Sequence, residues 1–474
     1  MSDVLGPWAT AAEIGRAVAA GRVSAVAVAA ATLARIARDD PALGAYTDVT
    51  GDRALAEAEA VDAAVASGRP VGPLAGVPFA VKNLFDVAGL PTRAGSRINR
   101  DRPPAETDAI LVRRMSAAGA VLLGTLNMGE YAYDFTGENA HDGVCRNPHD
   151  PGRMSGGSSS GCGAATAAGL APISLGSDTN GSLRVPASLC GVFSLKPTFG
   201  RLPTAGAFPF VDSLDHLGPL ARSVGDLASA FAILADDQGG DVPPSGEKRL
   251  RIGILGGWFE HNAGEAARAA VARVADGLGA HAEIATLRLD EAEAGRAAAY
   301  LLTNAESADF HLGRLRARAT DFDPDTRDRF LAGALLPAQW IARARRVRRW
   351  WLEHALAAFE RHDLLVAPAT PCPAPPTGAR TLDVGGRRLP LRPSLGLLAQ
   401  PFSCIGLPVV TAPVFDAGRP PIGVQIIAAP WREVAALDAA RLLEDLGVAL
   451  AHPPAPAPHA ARPSRLAPAA AGWT

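Results

Sequence analysis

A chain of 474 residues with 48% hydrophobic side chains is long enough to bury one large core or two to three ordinary ones. A formal net charge of −2 argues against a protein that holds nucleic acid or an anionic membrane through a basic face. Five scattered cysteines (Cys145, Cys162, Cys190, Cys372, Cys404) form no CxxC pair and no zinc-type spacing, so reduced, buried thiols and no metal are expected.

The N-terminus carries Asp3 and Glu13 and lacks a basic segment followed by an apolar run, so no signal peptide is expected. The apolar run 26–33 is too short to span a bilayer, which makes a cytoplasmic protein the expectation. Residues 8–70 read as helices, opened by a capping box at Thr10 and Glu13 and by a second cap at Ser24. Residues 77–82 predict a short buried strand ending at Lys82, with a loop over 83–90. A helix over 107–118, a strand over 120–123 and a loop over 145–154 follow. Next come a helix over 161–170 and strands over 172–176 and 191–196. Residues 236–248 read as a polar surface linker, 251–255 as a strand and 263–277 as a helix. A long helical region then includes the Arg-rich stretch 343–349, read as a solvated helix face. Strands return at 363–367, 408–412 and 423–427, and the Pro/Ala-rich tail 453–474 is expected to be poorly ordered.

Short strands interleaved with helices predict an α/β fold with a mixed central sheet covered by helices on both faces. The expected organisation is a single domain, 1–474. Its parts are N-terminal helices (8–70), a core (76–235), a variable pocket-shaping region (250–400) and a return to the core (401–446).

Two serine-glycine clusters concentrate the chemistry, residues 155–161 (SGGSSSG) and 176–184 (GSDTNGSLR), with Ser158 and Ser182 24 residues apart. Backbone N–H groups approach a ligand closely only where side chains are absent, and hydroxyls on such a backbone are placed for reaction rather than packing. A serine hydroxyl is a weak nucleophile and needs a base. The chain has 46 basic residues, of which only Lys82, Lys196 and Lys248 are lysines. A lysine that persists against this arginine bias can do what a guanidinium cannot, namely lose its proton. Lys82 ends an apolar strand, where burial lowers an ammonium pKa and makes a base of it; a strand-end lysine reaching solvent is the plainer alternative. A neutral Lys could activate a serine directly or through a second hydroxyl. The turn before Ser182 can aim several amides at one oxygen.

Rival readings are weaker. Residues 157–161 match G-x-S-x-G with Ser159 at the centre, but the preceding Asn147-to-Arg153 stretch is no buried strand, which that motif requires. His216 and His141 have no distinctive surroundings and read as structural. Neither cluster ends in Gly-Lys-Ser/Thr, so a phosphate loop is disfavoured. A Gly-rich anion-binding module would leave Lys82 and two positioned serines unexplained, and a flexible Gly/Ser linker conflicts with the flanking helix and strand signals.

Residues 155–203 resemble the defining block of the amidase signature family almost throughout. Further matches are 76–83 (GVPFAVKN), 136–139 (TGEN), 215–219 (DHLGP), 406–410 (GLPVV) and 421–425 (PIGVQ). The resemblance runs from about residue 13 to 446. It implies a Ser–cis-Ser–Lys triad in which Ser182 is the nucleophile, Ser158 relays the proton from a cis peptide bond and Lys82 is the base. The amides of Thr179, Asn180, Gly181 and Ser182 would form the oxyanion hole. Asn180 departs from the glycine commoner there, narrowing the mouth but keeping its N–H. Lys196 matches a motif read as structural. Arg184 either pairs with Asp178 or reads a substrate carboxylate, the former being preferred. Tyr131, Asp134 and Arg201 are polar candidates for substrate contact. Segments 178–182, 208–216 and 426–433 are similar to family members that release ammonia from small carboxylated ureido or amide substrates and work beside a small helical partner subunit. The glutamine-amidase subunit of a tRNA-dependent amidotransferase and a broader-specificity amidase are the alternatives. The resemblance implies no metal or cofactor, no direct nucleic-acid or membrane contact, and allows a homo- or hetero-oligomer.

Overall fold

The computed structural model describes residues 4–236, 249–416 and 418–455. All but the first residue of the expected linker 236–248, Lys248 included, and most of the tail 453–474 lie outside the described residues. In chain order the strands are β1 (Tyr46–Val49), β2 (Pro78–Lys82), β3 (Val121–Leu126), β4 (Arg146–Asn147), β5 (Asp150–Met154), β6 (Ile173–Asp178), β7 (Phe193–Lys196) and β8 (His216–Ala221). They continue with β9 (Leu250–Leu255), β10 (Ala282–Leu287), β11 (Leu364–Pro368), β12 (Thr381–Val384), β13 (Arg387–Pro390), β14 (Val409–Val414) and β15 (Ile422–Ala428). Eleven of them form one mixed sheet in the order β1-β3-β2-β6-β8-β7-β14-β15-β11-β9-β10, while β4–β5 and β12–β13 are separate hairpins.

Every residue of β2, β3, β6, β7, β8, β11, β14 and β15 is buried, the signature of strands covered on both faces. Helices supply that cover, and the fold is α/β as expected. The helix Ser160–Ala167 is built of small residues and buried at every position. It lies close enough to the helix Arg184–Cys190 that a Cβ on Gly163 would come within 2.9 Å of Pro186 Cβ. Small side chains are therefore a packing requirement here.

The register positions the site. β2 runs parallel to β6, with Phe79 opposite Ile173 and Val81 opposite Leu175. Lys82 at the end of one strand and Ser177–Asp178 at the end of the other thus reach the same edge of the sheet. Loops that follow adjacent parallel strands converge there, the usual place for ligands in α/β sheets.

The expected capping box is present: Thr10 accepts from the Glu13 amide at 3.1 Å while Glu13 accepts from the Thr10 amide at 2.9 Å. Ser24 caps the next helix. Two expectations need correction, and one strand carries no signal in the sequence. The helical reading of 8–70 omits β1, which forms because Gly44 ends a helix in the left-handed region (φ 66°) and turns the chain to pair with β3. The expected loop 145–154 contains the hairpin β4–β5. Strand β8 carries Gly218 and Pro219, poor strand formers, yet pairs with both β6 and β7. A Cβ on Gly218 would sit 2.1 Å from the Leu195 carbonyl, so only glycine permits that approach.

Candidate active site

Lys82 is fully buried, and its Nζ donates to Ser158 Oγ at 2.7 Å and to Ser177 Oγ at 2.9 Å. Burial disfavours the ammonium more than the charges of Asp178 and Asp215 favour it, and lowers its pKa from 10.5 to about 7. Ser158 follows a cis peptide bond with Gly157. Ser182 is also buried and lines a narrow pocket. Ser159, the serine of the rejected elbow motif, donates to the Ser177 carbonyl at 3.0 Å and is thereby engaged.

The loop between β6 and Ser182 is organised by Asp178. Its carboxylate accepts from the Gly181 amide (2.7 Å) and the Leu183 amide (3.1 Å) and pairs with Arg184 at 3.0 Å. Burial alone would raise the pKa of Asp178, but the Arg184 charge and hydrogen bonds outweigh it and hold the carboxyl well below its usual range. Among the described residues the amides of Thr179, Asn180 and Ser182 have no protein acceptor, whereas the Gly181 amide is taken. Gly181 itself sits at φ 129°, and a Cβ there would lie 2.7 Å from Ala399 Cβ. Thr179 Oγ1 donates to Asp215 at 2.6 Å, and the other Asp215 oxygen accepts from the Phe210 and Val211 amides. Burial pushes the Asp215 carboxyl up to about 6.

The pocket wall comes from Ala132–Phe135, the loop of Thr179 and Asn180, Phe210, and a distal group of Tyr300, Thr303, Arg329 and Gln400 drawn from three helices. Arg329 lies 3.6 Å above the Tyr133 ring centroid and donates to the Tyr133 carbonyl at 2.7 Å; no carboxylate of the described residues pairs with it. The pocket thus presents the Ser182 hydroxyl, a set of open amides and a cationic side chain, with the lysine-linked Ser158 and Ser177 hydroxyls outside its lining.

Of the polar substrate candidates, only Asp134 reaches this wall. Its carboxylate is saturated by the Thr136 amide and hydroxyl, the Gly137 amide and Arg392. Tyr131 turns away into an aromatic cluster with Phe208, His311, Phe322 and Phe330, its hydroxyl donating to Asn99. Positive φ angles at Tyr131 and Ala132 reverse the chain, so that Tyr133 faces the pocket instead. Arg184 is fully buried and bound to Asp178, Ala399 O, Gln425 and Ser403, contacts that leave no donor for a substrate. Arg201 lies over the rings of Phe231 and Trp431, away from the pocket lining.

Lys196 is buried and donates to the Pro197 carbonyl. His216 Nδ1 contacts backbone carbonyls of Leu214 and Asp178, and His141 pairs with Glu130. The five thiols are unpaired, four of them buried and Cys372 half-buried. Among the described residues no helix is long and apolar enough to cross a membrane. Sequence reasoning missed Ser177, Tyr133, Thr303, Arg329 and Gln400. Ser177 lay inside a cluster already singled out; the other four carry no local signal.

The chain matches the Amidase family over residues 27–437. It is 52% identical over 455 residues to AtzE, the 1-carboxybiuret hydrolase component of Pseudomonas sp. (strain ADP), covering 92% of this chain and 98% of that one. It is 34% identical over 472 residues to the GatA-type component of glutamyl-tRNA(Gln) amidotransferase from Symbiobacterium thermophilum, covering 91% and 95%. A solved chain from a vestigial protein complex, described as revealing the evolutionary origins of an s-triazine catabolic enzyme, matches with a TM-score of 0.89. Its identity is 51%, over 94% of this chain and 100% of that one. A 6-aminohexanoate cyclic dimer hydrolase complexed with substrate matches at TM-score 0.82 and 27% identity, over 94% and 99%.

Proposed function

The chain belongs to the amidase family, and we propose that it releases ammonia from a small carboxylated ureido or amide compound, such as 1-carboxybiuret, through a Ser182 acyl-enzyme. The observation that carries the proposal is the buried Lys82, hydrogen-bonded to Ser158, whose neighbour Ser159 donates its amide to the Ser182 carbonyl at 3.3 Å, behind a pocket lined by Ser182 and an arginine without a carboxylate partner.

In this reading, neutral Lys82 keeps an N–H on Ser177 and turns its lone pair to the Ser158 hydroxyl. Ser158 passes its proton to Lys82 as it accepts one from Ser182, whose oxygen attacks the substrate carbonyl. The developing oxyanion is met by the amides of Thr179, Asn180 and Ser182, while the Gly181 amide holds the loop in shape through Asp178. Preorganised donors of this kind are worth ~2.7–4 kcal/mol each when removed one at a time. Ser158 then protonates the departing ammonia, drawing on Lys82. A water retraces the path, giving its proton to Ser158 and its oxygen to the acyl carbon, and frees Ser182. Arg329 supports the carboxylated substrate class, since a pocket-lining guanidinium with no carboxylate partner in the protein is matched by a carboxylate on the ligand.

Ammonia release from 1-carboxybiuret, biuret, glutamine and simple aryl amides tests this, with and without a small co-encoded helical subunit. Turnover of the carboxylated ureido compound above the others is expected. A preference for glutamine would move the protein to the tRNA-amidotransferase reading, and equal turnover of aryl amides to a broad-specificity amidase.

A further inference from the structure

Asn180 stands where the family resemblance leads one to expect glycine, and its side chain lines the same pocket as Ser182. The Nδ2 group donates to Thr303 Oγ1 at 2.8 Å, which anchors the amide to the helix Ala292–Arg318. The other end of the amide is different. Oδ1 is buried, with the residue only 6% exposed, and has no hydrogen-bond partner. A buried acceptor without a donor is unfavourable, and native structures keep one where a ligand or water completes it. Asn180 lies two residues before Ser182, in the loop whose amides face the attacked carbonyl. With Asn180 and Ser182 lining one pocket two residues apart, an acceptor on the Asn180 side chain is placed to meet the substituents of that carbonyl in the proposed mechanism.

We propose that Asn180 determines the substrate class, its Oδ1 accepting the N–H on the acyl side of the scissile carbonyl. The pocket then selects ureido carbonyls, which carry nitrogen on both sides, over amides whose acyl side is carbon. This rests on the reading that Ser182 cleaves a small carboxylated amide. It adds that the nitrogen between the two carbonyl groups is itself recognised. Arg329 reads the charge of the substrate, and Asn180 reads the atom next to the bond that breaks.

Isosteric probes isolate that one atom. Allophanate and malonamate are both carboxylated terminal amides that differ only by N–H against CH2, and biuret and malonamide form the uncharged pair. The quantity to measure is the ratio of kcat/KM within each pair, in the wild type and in Asn180→Gly, which retains the backbone donor. Dividing the wild-type ratio by that of the variant cancels the intrinsic reactivity of the two compounds. This double ratio is expected to be about ten or more in favour of N–H. Thr303→Val, which removes the anchor of the amide, is expected to fall between the two, and it decides the matter by the same double ratio if Asn180→Gly fails to fold. A double ratio within about two-fold of unity overturns the inference and leaves the proposed function standing; that is also the outcome if Oδ1 instead holds the departing NH2, which every probe carries. Hydrolysis of glutamine or aryl amides, with neither carboxylated probe turned over by the wild type, takes down the proposed function and this inference with it.

Discussion

Acidifying the enzyme from about pH 8 to about pH 6 should lower kcat/KM about ten-fold, because the base in the proposed mechanism must be uncharged. Lys82 titrates at about 7, since burial penalises its ammonium more than nearby carboxylates favour it. The neutral fraction is then about nine-tenths at pH 8 and about one-tenth at pH 6. The assay is initial-rate ammonia release at low substrate, so that the profile reports the free enzyme. Asp215, pushed up to about 6 and bonded to Thr179, titrates on the same limb and should steepen it below pH 6. Asp215→Asn separates the two: the limb near 7 stays and the extra steepening goes. Lys82→Arg, whose guanidinium stays protonated, should show no recovery of rate up to pH 9. A profile flat between pH 5.5 and 8, or a limb near 10, would refute the reasoning.

The same shift has a consequence for stability. The folded pKa lies below the unfolded one, so the unfolded chain binds the extra proton between about pH 7 and 10.5, and stability rises with pH across that window. Below pH 7 the buried ammonium is disfavoured by about 5 kcal/mol relative to the unfolded chain. Lys82→Met removes that penalty along with two hydrogen bonds worth ~1 kcal/mol each. The inactive variant should therefore melt above the wild type at pH 6, with the gap shrinking by pH 9. A variant less stable at every pH would contradict the burial argument.

Ser182→Ala should abolish turnover while leaving the thermal transition in place, and Ser158→Ala should nearly do so; substantial activity in either removes that residue from the proposed relay. Arg329→Met should raise KM for a carboxylated substrate by about ten- to a hundred-fold, the loss of a charge-assisted hydrogen bond of ~1.5–3 kcal/mol, with far less effect on biuret. Steady-state kinetics on the two compounds checks it, and an equal effect on both would show that Arg329 only shapes the wall. Arg184→Met leaves the Asp178 carboxylate buried and uncompensated, and should lower stability by ~3–5 kcal/mol in denaturant unfolding. A loss under ~1 kcal/mol would mean that Asp178 takes up a proton in the variant.

What the amino-acid sequence made legible follows from how local each signal is. β2 and β14 appear as short apolar runs bounded by glycine and proline, so their existence is readable and only their ends drift by a residue or two. β1 is four residues long and exists because β3 offers it an edge, a fact about the partner that Tyr-Thr-Asp-Val does not contain. β8 would fail any propensity test and is held by neighbours on both sides. The candidate site divides in the same way. Ser158 and Ser182 sit in clusters whose composition announces them, whereas Thr303 and Arg329 come from ordinary-looking helical sequence more than 100 residues downstream. Nothing in Asp-Thr-Arg-Asp-Arg-Phe distinguishes Arg329 from Arg327, and the distinction arises only when the fold pairs Arg327 with Asp328 and leaves Arg329 on the pocket without a carboxylate.

The lysine bias shows both the reach and the edge of such reasoning. Both described lysines are buried, and burial lowers both ammonium groups; for Lys196 the Arg184 charge adds to the effect. Composition therefore picks out lysines in places where a proton is easily lost, which is a statement about solvation. It does not separate Lys82 from Lys196. That separation depends on what the Nζ atom meets: a backbone carbonyl at Lys196, which can only accept and has no proton to surrender, and two serine hydroxyls at Lys82. A lowered pKa becomes chemistry only where the neighbour has a proton to exchange. Two parallel strands supply that neighbour by ending together, Lys82 on one and Ser177 on the other, with Ser158 brought against them by the helix that its cluster begins.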